Sequence, residues 1–178
     1  LGKSYATYVL DNGLKIGIIG MIGEDQITSI STQLVKNITF VNQIEKTKQI
    51  SDFLRAKKNC DVIILSTHAS FDQIDSAPLT KVSKNTNKRY VDLVLNAHTH
   101  REEYHTVNKV HFDQFGGYGE IVGEVTMYYN FDTNTLVDES TNSTSYSSYS
   151  VKSDLNFKID PEIQSILDRY NEETKDLG

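Results

Sequence analysis

Five histidines stand in the chain, at positions 68, 98, 100, 105 and 111, and three of them are placed where chemistry could be done. His98 and His100 close the run Asp92-Leu93-Val94-Leu95-Asn96-Ala97-His98-Thr99-His100. His68 closes a second run of the same form, Cys60-Asp61-Val62-Ile63-Ile64-Leu65-Ser66-Thr67-His68. A short apolar stretch bounded by polar residues reads as a buried strand. Each histidine therefore falls at a strand's carboxyl end, where open α/β sheets bind their ligands. Neutral imidazole is the commonest protein ligand for zinc, copper, iron and nickel. Rings at i and i+2 converge on one site if the chain bends between them. On spacing alone, His68, His98 and His100 are candidate metal ligands, and three imidazoles would make a zinc site with an open fourth position. His105 and His111 lack such placement and read as surface or internally satisfied residues.

A hydrolytic centre also needs a proton donor beside its metal-activated water. None is paired with the histidines by spacing. Asp61 and Asp92 lie at strand starts, the wrong end of a sheet, and Glu102 and Glu103 are adjacent but undirected. Gly116-Gly117-Tyr118-Gly119 lacks the Lys and Ser/Thr of a phosphate loop and precedes a β-like run, so it reads as a structural turn. Asn37-Ile38-Thr39 and Asn142-Ser143-Thr144 match glycosylation sequons, a triplet that chance produces often.

The elements that must carry these residues can be read in order. Residues 4–10 and 14–20 flank Asp11-Asn12-Gly13, a strong hairpin signal, and the second strand reads as buried on both faces. Residues 21–31 form a loop or a short helix. Asn42, with Glu45 three residues on, marks a helix start. Ile44, Thr47, Ile50, Ser51 and Leu54 keep helical spacing to about Lys58, with Asn59 as its end. The strand ending at His68 follows. A long polar loop with at most one helical turn leads to the strand 91–97. After Arg101 the pattern turns to β: a turn at Asn108-Lys109, a Val/Thr/Tyr-rich strand over 121–131, and a turn at 132–135. Residues 141–150 are a Ser/Thr/Tyr tract, an exposed strand or loose loop. Asp160 caps a last helix with Pro161 at its first position and Ile163, Ile166, Leu167 and Tyr170 on one face. Helix–strand alternation followed by strands argues an α/β class with mixed sheets.

Composition bounds the function. The chain has 178 residues, 38% hydrophobic and 24% charged, as in ordinary globular proteins. A net charge of -6 and the absence of a basic stripe argue against binding a nucleic-acid duplex. No run approaches the ~20 apolar residues of a membrane span. The single cysteine, Cys60, forms no internal disulfide and reads as a partly buried filler. The chain opens on Leu1 rather than Met, so a longer parent sequence is expected.

Taken as a series, these segments resemble the calcineurin-like metallophosphoesterases, most closely the 5'-nucleotidase branch. Lys15-Ile16-Gly17-Ile18-Ile19-Gly20 resembles the family's strand after a hairpin. Residues 61–68 resemble its strand ending in a THxG histidine, and residues 92–100 its DLILGGHTH segment. Gln114 to Gly119, then Val122-Gly123-Glu124-Val125, are similar to its QAGxYGxxxG strand pair. Asp160-Pro161-Glu162-Ile163 resembles the start of its exit helix. The resemblance implies a four-layer α/β/β/α sandwich, with residues 1–153 as the second half of the catalytic domain and 154–178 as a linker helix. It implies two divalent metal ions in the parent, zinc or manganese. His68 and His98 would bind one and His100 would help bind the other. A bridging water would attack a phosphate ester, a nucleotide by analogy with that branch, as a 5'-nucleotidase or a cyclic phosphodiesterase does.

The family's Asp-x-His and Gly-Asn-His motifs do not occur, nor does its C-terminal substrate domain. These carry the bridging aspartate, further ligands and the leaving-group acid. The fragment is therefore expected to be inactive alone, with the missing N-terminal half and substrate domain as its partners. Asn96-Ala97 replaces two glycines of the family pattern, leaving a stiffer backbone there. Ala69-Ser70 replaces a pair that often ends in glycine. The alternative reading is a non-enzymatic surface or binding protein on a degenerate phosphoesterase fold. Enzymes of this branch are often exported or surface-attached, which sets the expectation for location.

Overall fold

The computed structural model describes residues 2–137 and 159–175 in full and the backbone of 144–150. The boundary expected at 153/154, the start of the tract at 141–143, and Asn142 and Ser143 of the second sequon lie outside the described residues.

Strands β1 (Tyr5–Val9) and β2 (Lys15–Ile22) form an antiparallel hairpin in which Tyr5 faces Ile19 and Val9 faces Lys15. Gly13 takes φ 87° at the turn, a conformation glycine adopts without steric cost. A 3-10 turn over Glu24–Thr28 follows. Helix α1 (Gln43–Lys58) starts where the sequence signals it: the Asn42 side chain accepts from the Glu45 amide at 2.9 Å. Glu24 adds to the cap from outside the helix, accepting from the Gln43 amide at 2.8 Å and from the Asn42 side chain at 3.2 Å. Asn59 ends the helix in the left-handed region, φ 55°.

Strand β3 (Val62–His68) runs parallel to β2, and β4 (Leu93–Leu95) runs parallel to β3. The long connection between them holds a 3-10 turn at Phe71–Gln73 and a one-turn helix α2 (Ser76–Leu79). β4 is shorter than the expected 91–97. Asp92 spends its side chain on the Ile63 amide at its start, and beyond Leu95 the chain bends into the histidine turn. Strands β5 (Glu102–Val107) and β6 (Val110–Phe115) form a hairpin with Asn108 and Lys109 both at positive φ. β6 inserts beside β4 in parallel, which gives a six-stranded mixed sheet of order β1-β2-β3-β4-β6-β5.

The second β region separates from this sheet. β7 (Ile121–Met127) pairs with β10 (Thr144–Ser150), so the Ser/Tyr tract is a strand over that span. β8 (Tyr129–Asn130) and β9 (Thr135–Leu136) make a small hairpin. Helix α3 (Pro161–Thr174) has Asp160 accepting from the Glu162 and Ile163 amides, as its sequence requires.

The main core lies between the large sheet and α1. Ile19, Leu54, Ile63, Leu65, Val94 and Phe112 are fully enclosed there. A Cβ on Gly17 would come within 2.9 Å of Ile63 and 3.0 Å of Leu54, so glycine lets helix and sheet close together. The expectation that β2 is buried on both faces fails. Gly17 and Ile19 are buried, whereas Ile16 and Ile18 on the other face are only half-buried. α1 covers one face of the sheet, and a strand reads as apolar on both faces even when only one is sealed.

Candidate metal centre

Parallel pairing of β3 with β4 sets the site. Ser66 lies opposite Leu95, so the chain end at His68 and the turn after Asn96 leave the sheet side by side. The His98 Nδ1 and His68 Nε2 atoms are 3.3 Å apart, with ring centroids 5.1 Å apart and planes at 67°. Two nitrogens bound at about 2.0–2.1 Å to a tetrahedral ion would stand roughly 3.3–3.4 Å apart. The pair thus fits one ion shared between two neutral rings. Without an ion, one ring can donate its N–H to the lone pair of the other.

His100 lies elsewhere in the same turn. Its ring meets that of Tyr118 at 4.5 Å and 72°. A Cβ on Gly117 would fall 2.7 Å from its Cγ, so only glycine fits there. The glycine loop is therefore more than a turn, since it seats an imidazole. Among the described residues no group of three or more His, Cys, Asp or Glu side chains gathers around one point. The structure brings His68 and His98 together and leaves His100 apart from them.

The turn is held against its own strain. His98 takes φ 88° and His100 φ 57°, left-handed values that cost a non-glycine residue about 1–3 kcal/mol unless its surroundings hold it. Asn96 and Ala97 are not at positive φ, so the side chains at those positions meet no backbone penalty. Asn96 is buried, and its side-chain amide donates to the Ala69 carbonyl at 3.0 Å. The Ala97 amide donates to the same carbonyl at 3.2 Å, tying the end of β4 to the residue after His68. From the other side, Gln114 Nε2 donates to Thr99 Oγ1 and to the Arg101 carbonyl, both at 2.8 Å. Gln114 is buried and reaches the turn from β6. Ser70 is occupied in a capping box with Gln73 and leaves the histidines alone.

No known family's sequence profile matches the chain, and no curated protein matches it in sequence. Solved structures do. A Staphylococcus aureus protein provisionally named a 5'-nucleotidase matches with a TM-score of 0.64 at 20% identity, over 95% of this chain and 33% of its own. The sulfate thiohydrolase SoxB from Thermus thermophilus matches with a TM-score of 0.76 at 15% identity, over 99% of this chain and 30% of its own. The fold is that of the calcineurin-like metallophosphoesterases. The chain spans about a third of the length of each of these structures. Both carry the names of hydrolases, a nucleotidase and a thiohydrolase.

Within this phosphoesterase fold the remaining polar residues sort by position. Asp61 and Asp92 sit at the opposite end of the sheet from the histidines, as expected. Asp61 accepts from the Lys15 amide at 2.9 Å. Asp92 accepts from the Ile63 amide at 2.7 Å and from the Arg55 guanidinium at 2.6 Å, an almost enclosed pair. His105 stacks flat on Phe71 at 3.9 Å, a packed position rather than a ligating one. Cys60 is buried more deeply than expected, and burial pushes its thiol pKa up.

The sequence reading missed two residues. Gln114 is one; its only signal was membership of the glycine-loop segment. Asp113 is the other. It is fully buried on β6, and neither carboxylate oxygen has a hydrogen-bond partner among the described residues. Burial raises its pKa from 3.8 to about 6, against the opposing pull of His111 and His105.

Proposed function

We propose that this chain is the histidine-bearing part of a metal-dependent phosphoric-ester hydrolase, with nucleotides as the substrate class its 5'-nucleotidase neighbour brings to mind. The observation that carries this reading is the 3.3 Å separation of His68 Nε2 and His98 Nδ1 at adjoining strand ends. These two rings would hold one divalent ion, and His100, seated under Gly117, would serve a second. A bound ion supplies Lewis-acid stabilisation of phosphoryl oxygens and a water of lowered pKa. The chain's own residues orient the rings: Asn96 fixes the end of β4, and Gln114 fixes the turn at Thr99 and Arg101. Two imidazoles complete no coordination shell, and the chain alone should turn over nucleoside monophosphates no faster than buffer.

Titration of the chain with zinc and with manganese, followed by calorimetry, tests this. One ion should bind at the His68–His98 pair, and His68→Ala or His98→Ala should weaken it at least about tenfold, since each removes one of the two ligands. Unchanged affinity in both variants would remove the metal reading. A second reading, a non-enzymatic binding protein on the same fold, draws on the absence of any larger ligand cluster among the described residues. Absence of zinc and manganese binding in the unaltered chain would favour it.

A further inference from the structure

Beside the histidine pair lies a cavity of about 800 Å³ at the carboxyl ends of β2 and β3. Ile22, Ile30, Val35, Ile38 and Phe40 form its wall, and His68 and Ala97 form the side next to the candidate metal centre. Its size matches that of small-molecule sites, which are mostly apolar with a few placed polar groups. Two lysines, Lys3 and Lys46, line it as well, and neither ammonium has an ion-pair partner among the described residues. Among the described residues the lining contains no carboxylate and no side-chain amide. Ser4, Thr39, Ser66 and Thr67 add hydroxyls, so the wall is chiefly apolar and the only formally charged side chains on it are the two lysines.

The geometry points to this cavity as the seat for the apolar organic group of an anionic ester, with the charged end directed to Lys3, Lys46 and the histidine pair. This rests on the hydrolase reading for its orientation and replaces nucleotides by another class of ester: that of an apolar alcohol or phenol, bound in preference to a nucleotide. His68 is common to the cavity and the metal pair, which makes the two one continuous site.

The probe is 1-naphthyl phosphate, with 1-naphthol and adenosine monophosphate as comparators. The chain has no tryptophan, so the naphthyl emission is read without indole background. The phosphate ester should bind with rising anisotropy, and adenosine monophosphate should displace it only at about tenfold higher concentration. Ile38→Ser and Phe40→Ala should each weaken binding about fivefold through lost apolar contact. Ile38 is 40% exposed, so its replacement leaves the fold intact, and unchanged melting of each variant confirms that. Lys46→Glu should weaken the phosphate ester several-fold and leave naphthol unchanged. His98→Ala, which lies outside the cavity lining, should weaken the metal at least about tenfold and keep naphthol. Failure of the metal reading thus shows in the metal titration alone. Equal or tighter binding of adenosine monophosphate would overturn the inference. So would naphthyl phosphate binding that ignores Ile38 and Phe40, or no binding at all.

Discussion

Replacing Asp113 by Asn should stabilise this protein at neutral pH and do little in acid. In the fold the carboxyl is fully enclosed and its pKa stands at about 6, against 3.8 in open water. A raised carboxyl pKa means that the folded state keeps its proton to higher pH than the unfolded chain. Below about pH 4 both states are protonated and the residue carries no electrostatic penalty. As pH rises from there, the unfolded chain gives up the proton first, and stability falls until the folded pKa is passed. Two pKa units and slightly more, at 1.36 kcal/mol each, amount to a penalty of about 3 kcal/mol above pH 7. Roughly half of it should be present by pH 5. Asn has nearly the same shape and never ionises, so it escapes this term. Urea unfolding of both forms between pH 4 and pH 8 should show a gap that opens from near zero to about 3 kcal/mol. That corresponds to a melting difference of about 6–12 °C at neutral pH for a chain of this size. The pull of His111 and His105 is already contained in that net pKa and needs no separate subtraction. A gap that stays flat across that pH range would refute the assignment of a buried, proton-retaining Asp113.

Gln114→Leu should remove both hydrogen bonds to the histidine turn, destabilise the protein by about 2 kcal/mol, and weaken zinc binding about 10- to 100-fold in calorimetry. Asp92→Ala leaves the enclosed Arg55 guanidinium without its carboxylate and should cost about 3–5 kcal/mol in urea unfolding. Gly117→Ala places a methyl 2.7 Å from the His100 ring. It should cost about 1–3 kcal/mol and shift the His100 imidazole resonances while leaving those of His68 in place.

Much of this fold was legible in the chain because its signals are local. Asn12-Gly13, Asn42 with Glu45, Asn59, and Asp160 with Pro161 act through their own backbone neighbours, and each punctuates an element where its chemistry dictates. The two apolar runs ending in histidine are also local, and they give the adjoining strand ends that bring His68 and His98 together. Strand pairing beyond neighbours was a different matter. That β6 would insert beside β4, and reach from there to the turn with Gln114, depends on which edges meet in space. Nothing in the local pattern of Val110-His111-Phe112-Asp113 singles out Asp113. Only the tertiary structure buries it and turns an ordinary carboxylate into a group that holds its proton to about pH 6. The sequence by itself determined the ligand types and the elements that bear them, since both follow from residue chemistry and short-range spacing. Tertiary structure alone decided that two imidazoles stand at metal-sharing distance while the third lies under a glycine. Those separations are set by packing between segments about thirty residues apart in the chain, and no local rule fixes them.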